Sequence, residues 1–167
     1  MNNQGAFDIA LLHLLNQGHR SVSASGRSQL RSLRGDKSAI GALIPDQVYV
    51  KSMEGMTVRQ LMASGSPDYI PLREHLSDVT LPLLNELQDL HDRTGECLPS
   101  LFREIVLAGG QRIGRMFGLS VRVLRLWSVY RRLGGPRVQV QKAAVIVERA
   151  GGTAPRHASD AAASAVI

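Results

Sequence analysis

A single cysteine, Cys97, is the tightest constraint on what this 167-residue chain can fold into. One thiol cannot form an internal disulfide, and it excludes every zinc module built on several thiolates. The chain must therefore hold itself together by its hydrophobic core. Aromatic residues are only 4% of the total, so that core rests on Leu, Ile, Val, Ala and Met. The length is sufficient, because single cores commonly form at roughly 100–200 residues. With 44% hydrophobic and 20% charged residues, the composition is that of a folded chain rather than a disordered one. Scarce aromatics also leave few stacking platforms for single-stranded nucleic acid.

Helical periodicity dominates. Over residues 79–91, Thr80 is placed as N-cap with Pro82 in the first turn, and Leu83, Leu84, Leu87 and Leu90 form a stripe opposite Glu86 and Asp89. Over residues 7–17, Phe7, Ile9, Ala10, Leu11, Leu14 and Leu15 recur at helical spacing and Gly18 follows as a stop. Thr57 opens a short helix over 57–62, closed by Ser64-Gly65-Ser66-Pro67. Pro99 opens another that runs to Ala108, with Gly109-Gly110 as its predicted end. Residues 21–34, rich in Ser, Arg and Gly, read as a loop with a short extended piece near 29–33, and no internal repeat is evident. In the run from Gly35 to Asp46, small residues permit close backbone approach, and Pro45 disfavours helix at Ile44. Past Gly134-Gly135-Pro136, residues 138–140 alternate like a strand and 142–150 are patterned like a helix. The Ala/Ser-rich stretch from Thr153 is expected to be disordered.

The expected fold is mainly α. It comprises an N-terminal helical domain over 1–98, with a small β-hairpin left open, a basic helical, helix-turn-helix-like module over 99–150, and a disordered tail over 151–167. The opening Met1-Asn2-Asn3-Gln4-Gly5 carries no positive charge, and His13 interrupts the apolar stretch behind it, so no signal peptide is expected. No run reaches the ~18 apolar residues of a membrane span. The expected location is the cytoplasm of a bacterial host.

Net charge is +6, but it is unevenly distributed. Residues 1–102 hold 9 Lys+Arg against 11 Asp+Glu, whereas residues 103–149 hold 10 against 2. Such two-sidedness points to a polyanionic partner for the basic half, most often nucleic acid and sometimes an acidic protein or membrane.

The segment Lys37-Ser38-Ala39-Ile40-Gly41-Ala42-Leu43-Ile44-Pro45-Asp46, followed by Tyr49 and Glu54-Gly55, resembles the signature of a family of small uncharacterised phage and prophage proteins. Gly18-His19-Arg20-Ser21-Val22 after a leading helix, and Leu87-Gln88-Asp89-Leu90-His91-Asp92, resemble that family in the same order. The resemblance covers about residues 7–92. It implies an origin in a mobile element and no particular activity. Members commonly carry cysteine where this chain has Ser38, so a thiol or metal role does not carry over.

In the basic half, Ile113-Gly114-Arg115-Met116-Phe117-Gly118-Leu119-Ser120-Val121-Arg122-Val123-Leu124-Arg125-Leu126-Trp127 resembles the helix-turn-helix of transposases and related regulators. The spacing suits that motif physically. Gly114 is small where two helices cross, Gly118 takes the positive φ of the turn, and Ile113, Phe117, Leu119, Leu124 and Trp127 fill the angle between helices. Ser120 is expected to cap the second helix. Val121, Arg122, Arg125 and Val129 then face outward, with Arg122 and Arg125 reaching base edges or phosphates in a major groove. Arg112, Arg115, Arg131 and Arg132 surround them as backbone-contacting charges. A plain helical hairpin whose arginines only solvate the surface has the same spacing and stays open, as does protein or membrane binding.

Other candidates read as structural. His91-Asp92 lacks the further ligands of a metal site, and His91 is expected near the last carbonyls of its helix. Cys97 has no adjacent cation to lower its pKa. Ser38 lacks the glycine frame of a nucleophile elbow. Gly109-Gly110-Gln111-Arg112 lacks the lysine and hydroxyl of a phosphate-binding loop and reads as a helix stop. The expectation is a phage or mobile-element accessory protein that binds DNA in a regulatory role, with no catalytic site, metal or cofactor. The alternative is a non-enzymatic inhibitor or adaptor that binds a host protein through the same basic face.

Overall fold

The fold is built around its first helix, α1 (Asn3–Gln17). The structure is a computed structural model, and it describes residues 1–132 apart from the side chains of Tyr130 and Arg132. The expected strand at 138–140, helix at 142–150 and disordered tail lie outside the described residues. Asn2 starts α1 by accepting the Gly5 N–H at 2.8 Å, and Gly18 ends it at a φ of 77°. The start precedes the apolar pattern because a polar side-chain cap, not periodicity, sets it. Ala6, Phe7, Ala10, Leu11, Leu12, Leu14 and Leu15 are all buried. A helix that is apolar nearly all round belongs inside the molecule.

Six further helices follow: α2 (Ala39–Leu43), α3 (Val58–Ala63), α4 (Ile70–His75), α5 (Leu81–Arg93), α6 (Pro99–Phe117) and α7 (Arg122–Arg132). The architecture is mainly α, as expected, with no strand among the described residues. Helices α2, α5, α6 and α7 all rest on α1, and α3 rests on α5. The buried cluster is continuous across residue 98, with Phe102, Val106, Ile113, Leu124 and Trp127 joined to the α1 and α5 residues. Helix α5 buries all of Leu83, Leu84, Leu87 and Leu90. Thr80 stands at its N-cap with no side-chain bond to the helix, while Pro82 lies in the first turn. Thr57 and Gln60 form a capping box on α3. Helix α4, which had no counterpart in the periodicity, is too short to show one.

Gly109 and Gly110 do not stop a helix. Helix α6 runs through them to Phe117, and their role is contact. A Cβ on Gly109 would strike Leu90, and one on Gly110 would lie 2.8 Å from Leu11 and 2.9 Å from Leu124. Bare backbone here lets α6 close onto α1, α5 and α7 together. The residues are mid-helix, so no helix N-terminus is available at Gln111 and Arg112.

Between α1 and α2 the chain makes two consecutive tight loops of one design, a duplication that the sequence pattern does not announce. The first is closed by an antiparallel bridge from Val22 to Ser28, the second by one from Arg31 to Lys37. In each, a serine (Ser23, Ser32) accepts turn N–H groups on its hydroxyl, and a glycine (Gly26, Gly35) has positive φ. Ser38 then caps α2 by accepting the Gly41 N–H at 3.0 Å. Gly41 passes so close to the second loop that a Cβ would be driven into the Leu30 carbonyl. As Pro45 requires, Ile44 is extended.

Gly41→Ala should therefore destabilise the fold by about 3 kcal/mol, since the obstacle is backbone that cannot yield cheaply. Gly65→Ala, where nothing lies within 4 Å, should change the melting temperature very little. Thermal melts of the two variants side by side check the contrast.

Candidate nucleic-acid interface

The helical pair α6–α7 is joined by the four residues 118–121. Gly118 adopts a φ of 63°, and the Leu119 N–H returns to the Gly114 carbonyl at 2.8 Å. Gly114 is buried against the turn, where a Cβ would lie 2.6 Å from a methyl of Val121. Ile113, Val123, Leu124 and Trp127 are buried, while Phe117 and Leu119 are partly buried against them. The residues expected to fill the angle between the helices are thus buried or partly buried in the common core, with Trp127 bonded to α1. Val121, expected outward, is instead half-buried in contact distance of Gly114.

Ser120 serves the turn differently from a cap on N2 or N3. Its hydroxyl accepts the Arg122 N–H at 3.3 Å, and the carbonyl of Val121 accepts from Leu124 and Arg125. Its backbone is gripped from α1: the Gln4 amide accepts the Ser120 N–H at 2.8 Å and donates to the Ser120 carbonyl at 3.0 Å. The Trp127 indole N–H donates to Asn16 at 3.2 Å near the other end of α1. Helix α7 thus lies along α1, held at the turn before it and at its middle.

This docking sorts the arginines. Arg122 and Arg125 are exposed, and with Leu126 and Val129 they occupy one outer face of α7, at the i, i+3, i+4, i+7 spacing of a single stripe. Arg115 is exposed on α6. None of Arg115, Arg122 and Arg125 has an acidic partner among the described residues. Arg112 is bound to Glu86 at 2.6 Å. Arg131 is exposed but shares the Trp127 side of α7, its guanidinium 5.8 Å from the indole centroid. The side chain of Arg132 lies outside the described part of the structure. Arg103, the first arginine of the basic half, donates to the Leu15 carbonyl at 3.0 Å and so closes the end of α1.

The polar clamp reaches inward. The Gln4 amide also donates to Asp8 at 2.9 Å, and Asp8 is only 7% exposed. Burial pushes the Asp8 carboxyl up to about 6, against the hydrogen bond from Gln4.

His91 and Asp92 hold the first of the two loops. His91, in the last turn of α5, is wholly buried, and its ring bonds Ser21 and Asp92 rather than the last carbonyls. Its Nε2 accepts the Ser21 N–H at 3.0 Å, so Nδ1 carries the proton and donates to Asp92 at 2.9 Å. Asp92 also accepts from Ser28 at 2.6 Å and from Gln88 at 3.0 Å. Burial would raise the Asp92 carboxyl, but these donors outweigh it and hold it at about 2. The histidine is fully engaged. No group of three or more potential metal ligands occurs among the described residues, and no helix of them is long and apolar enough to cross a membrane.

No family model, curated protein or solved structure matches this chain. The functional reading therefore rests on these residues and their arrangement.

Asp8 supplies a pH test of the clamp. Its folded pKa lies above the ~4 of an unfolded aspartate, so the neutral acid contributes stability fully below pH ~4 and loses it as pH rises through about 6. Asp8→Asn should raise stability at pH 8 by on the order of 2 kcal/mol. At pH 4 the variant and the parent should melt together. Equal melting differences at both pH values would show that Asp8 is not desolvated.

Proposed function

We propose that the protein binds duplex DNA in a regulatory role, as an accessory protein of a phage or other mobile element, with α7 entering the major groove. One observation carries the reading: Arg122 and Arg125 stand exposed on one stripe of a helix whose other side is fixed to the core, with no carboxylate partner among the described residues. Guanidinium forks held this way suit guanine edges or phosphates. Leu126 and Val129 on the same stripe suit thymine methyl groups. The four-residue turn, with Gly118 at positive φ and Gly114 at the contact, supports a helix-turn-helix use of the pair. Arg115 on the preceding helix is free to meet the phosphate backbone.

A second reading has its own support. Leu126 is 53% and Val129 48% exposed, and aliphatic side chains framed by arginines also suit the centre of a protein interface. On that reading the chain is an inhibitor or adaptor for a host protein.

Mobility shifts at several salt concentrations separate the two. Arg122→Ala with Arg125→Ala should weaken duplex binding by about 1–3 kcal/mol for each arginine that makes a bidentate base contact. The melting temperature should hardly move. Trp127→Ala should instead destabilise the fold by about 3–5 kcal/mol, because the indole is buried against α1. If the wild-type protein shifts no duplex at ~50 mM salt, where phosphate contacts act most strongly, the DNA reading is wrong and the protein-partner reading replaces it.

A further inference from the structure

Beneath α7 lies a carboxyl group that the DNA-binding reading does not use. Gln4, Asp8, Leu12 and Asn16 follow at four-residue intervals on α1, along a stripe that winds slowly around the helix. Gln4 holds Ser120, in the turn before α7, and Asn16 holds Trp127, in the middle of α7. Asp8 stands between these two attachments and is covered by them, being only 7% exposed.

Hydrogen bonds tie Asp8 to the turn. The Gln4 amide donates to Asp8 at 2.9 Å and to the Ser120 carbonyl at 3.0 Å, and it accepts the Ser120 N–H at 2.8 Å. The Ser120 hydroxyl accepts the Arg122 N–H, so Gln4 and Ser120 are the two links between Asp8 and the first residue of α7.

No charge compensates an ionised Asp8. On α7, Arg122 and Arg125 are exposed and Arg131 lies over the Trp127 ring. On α6, Arg103 reaches the Leu15 carbonyl, Arg112 binds Glu86, and Glu104 and Arg115 are exposed. Helix α2 carries no charged residue, while on α5 Asp89 binds Arg93, and His91 and Asp92 bond each other. On the first helix and the residues before it, the Met1 ammonium meets Asp78 and His13 meets the Lys37 carbonyl. None of these groups bonds Asp8 among the described residues, and burial raises its carboxyl to about 6 against the pull of Gln4.

Helix α7 can open separately from the core. It rests on α1 and α6, whereas α2, α3 and α5 are packed among themselves and on α1. Elements attached in this way open at lower cost than the whole fold. With α7 away, Asp8 regains water and the ordinary carboxyl range near ~4. The neutral acid thus favours the docked arrangement, fully below pH ~4, and that preference is lost as pH rises through about 6.

We infer that the attachment of α7 is a proton-sensitive latch: neutral Asp8 keeps the α6–α7 turn and α7 on the core, and ionised Asp8 loosens them, taking Arg122 and Arg125 off their fixed stripe. The consequence for DNA rests on the reading of α7 above, but the latch itself does not.

The test is hydrogen exchange of the full chain at pH 5 and pH 8, corrected for the intrinsic exchange rate at each pH. Amides of α7 and the Trp127 indole N–H should be less protected than amides of α5. Their protection should fall about tenfold from pH 5 to pH 8, because the opened state ionises near ~4 and the docked state near about 6. Asp8→Asn should abolish the fall. Gln4→Ala, which cuts the bridge, should lower α7 protection at both pH values. Equal α7 protection at pH 5 and pH 8 in the parent overturns the inference, as does the same fall in Asp8→Asn. So does α7 protection equal to that of α5, since α7 would then open only with the whole fold. Mobility shifts on the same protein keep the two readings apart. An Asp8-dependent fall in a protein that shifts no duplex upholds the latch and removes the DNA reading, whereas duplex binding without the fall does the reverse.

Discussion

The structure depends on the burial of α1 on nearly every side. Phe7, Leu11, Leu14 and Leu15 leave no apolar face for solvent, so the other helices must surround α1 before any of them has a core. Polar groups toward its two ends bond the surrounding elements, so each end becomes a fastening point. Near its start, Asn3 accepts the Thr80 N–H at 2.8 Å, the Met1 ammonium donates to the His75 carbonyl at 3.2 Å, and Gln4 holds Ser120. At its finish, His13 and Gln17 meet Lys37, Asn16 meets Trp127, and Arg103 meets the Leu15 carbonyl. Amides and one imidazole thus set where α5, α7 and the loops lie, a choice that apolar contact alone leaves loosely defined.

What was legible in the sequence follows from range. Leu83, Leu84, Leu87 and Leu90 announce α5 because a helix writes its buried face into local spacing. Gly18 and Gly118 were readable as helix ends, since each closes an element visible beside it. Gly109 and Gly110 carry the same residue type with the opposite meaning. Their reason lies in Leu90, Leu11 and Leu124, which are distant in sequence and adjacent only after folding. The tandem loops were hidden for a related cause. They share only Ser23 with Ser32 and Gly26 with Gly35 at equivalent places, and much of what fixes them arrives from residues outside them, among them Gln17, Glu54 and His91.

The same limit applies to His91 and to the run from Lys37 to Gly55. As residue types, a buried His-Asp pair and a Tyr-Glu pair suggest chemistry. In the fold their donors and acceptors face backbone: Nε2 of His91 takes the Ser21 N–H, and Glu54 takes two N–H groups from Leu30 and Arg31. Backbone groups in a buried irregular segment must find partners, and a segment without helix or ladder draws them from side chains. Tyr49 and Glu54 are accordingly spent on holding the second loop.

The charge count needs a similar correction. The basic half looked like a uniform reservoir of arginine, yet Arg103 closes α1 and Arg112 pairs with Glu86 at 2.6 Å. Of the positions expected to meet DNA, the structure leaves Arg122 and Arg125 together on one stripe, with Arg115 on the neighbouring helix and Arg131 over the indole. A surface salt bridge of the Arg112 kind adds little stability, commonly below ~1 kcal/mol, but it removes a cation from the field that a polyanion meets. Net charge by segment therefore misplaces the basic surface, because pairing with Glu86 takes Arg112 out of it and Arg103 is spent on the end of α1.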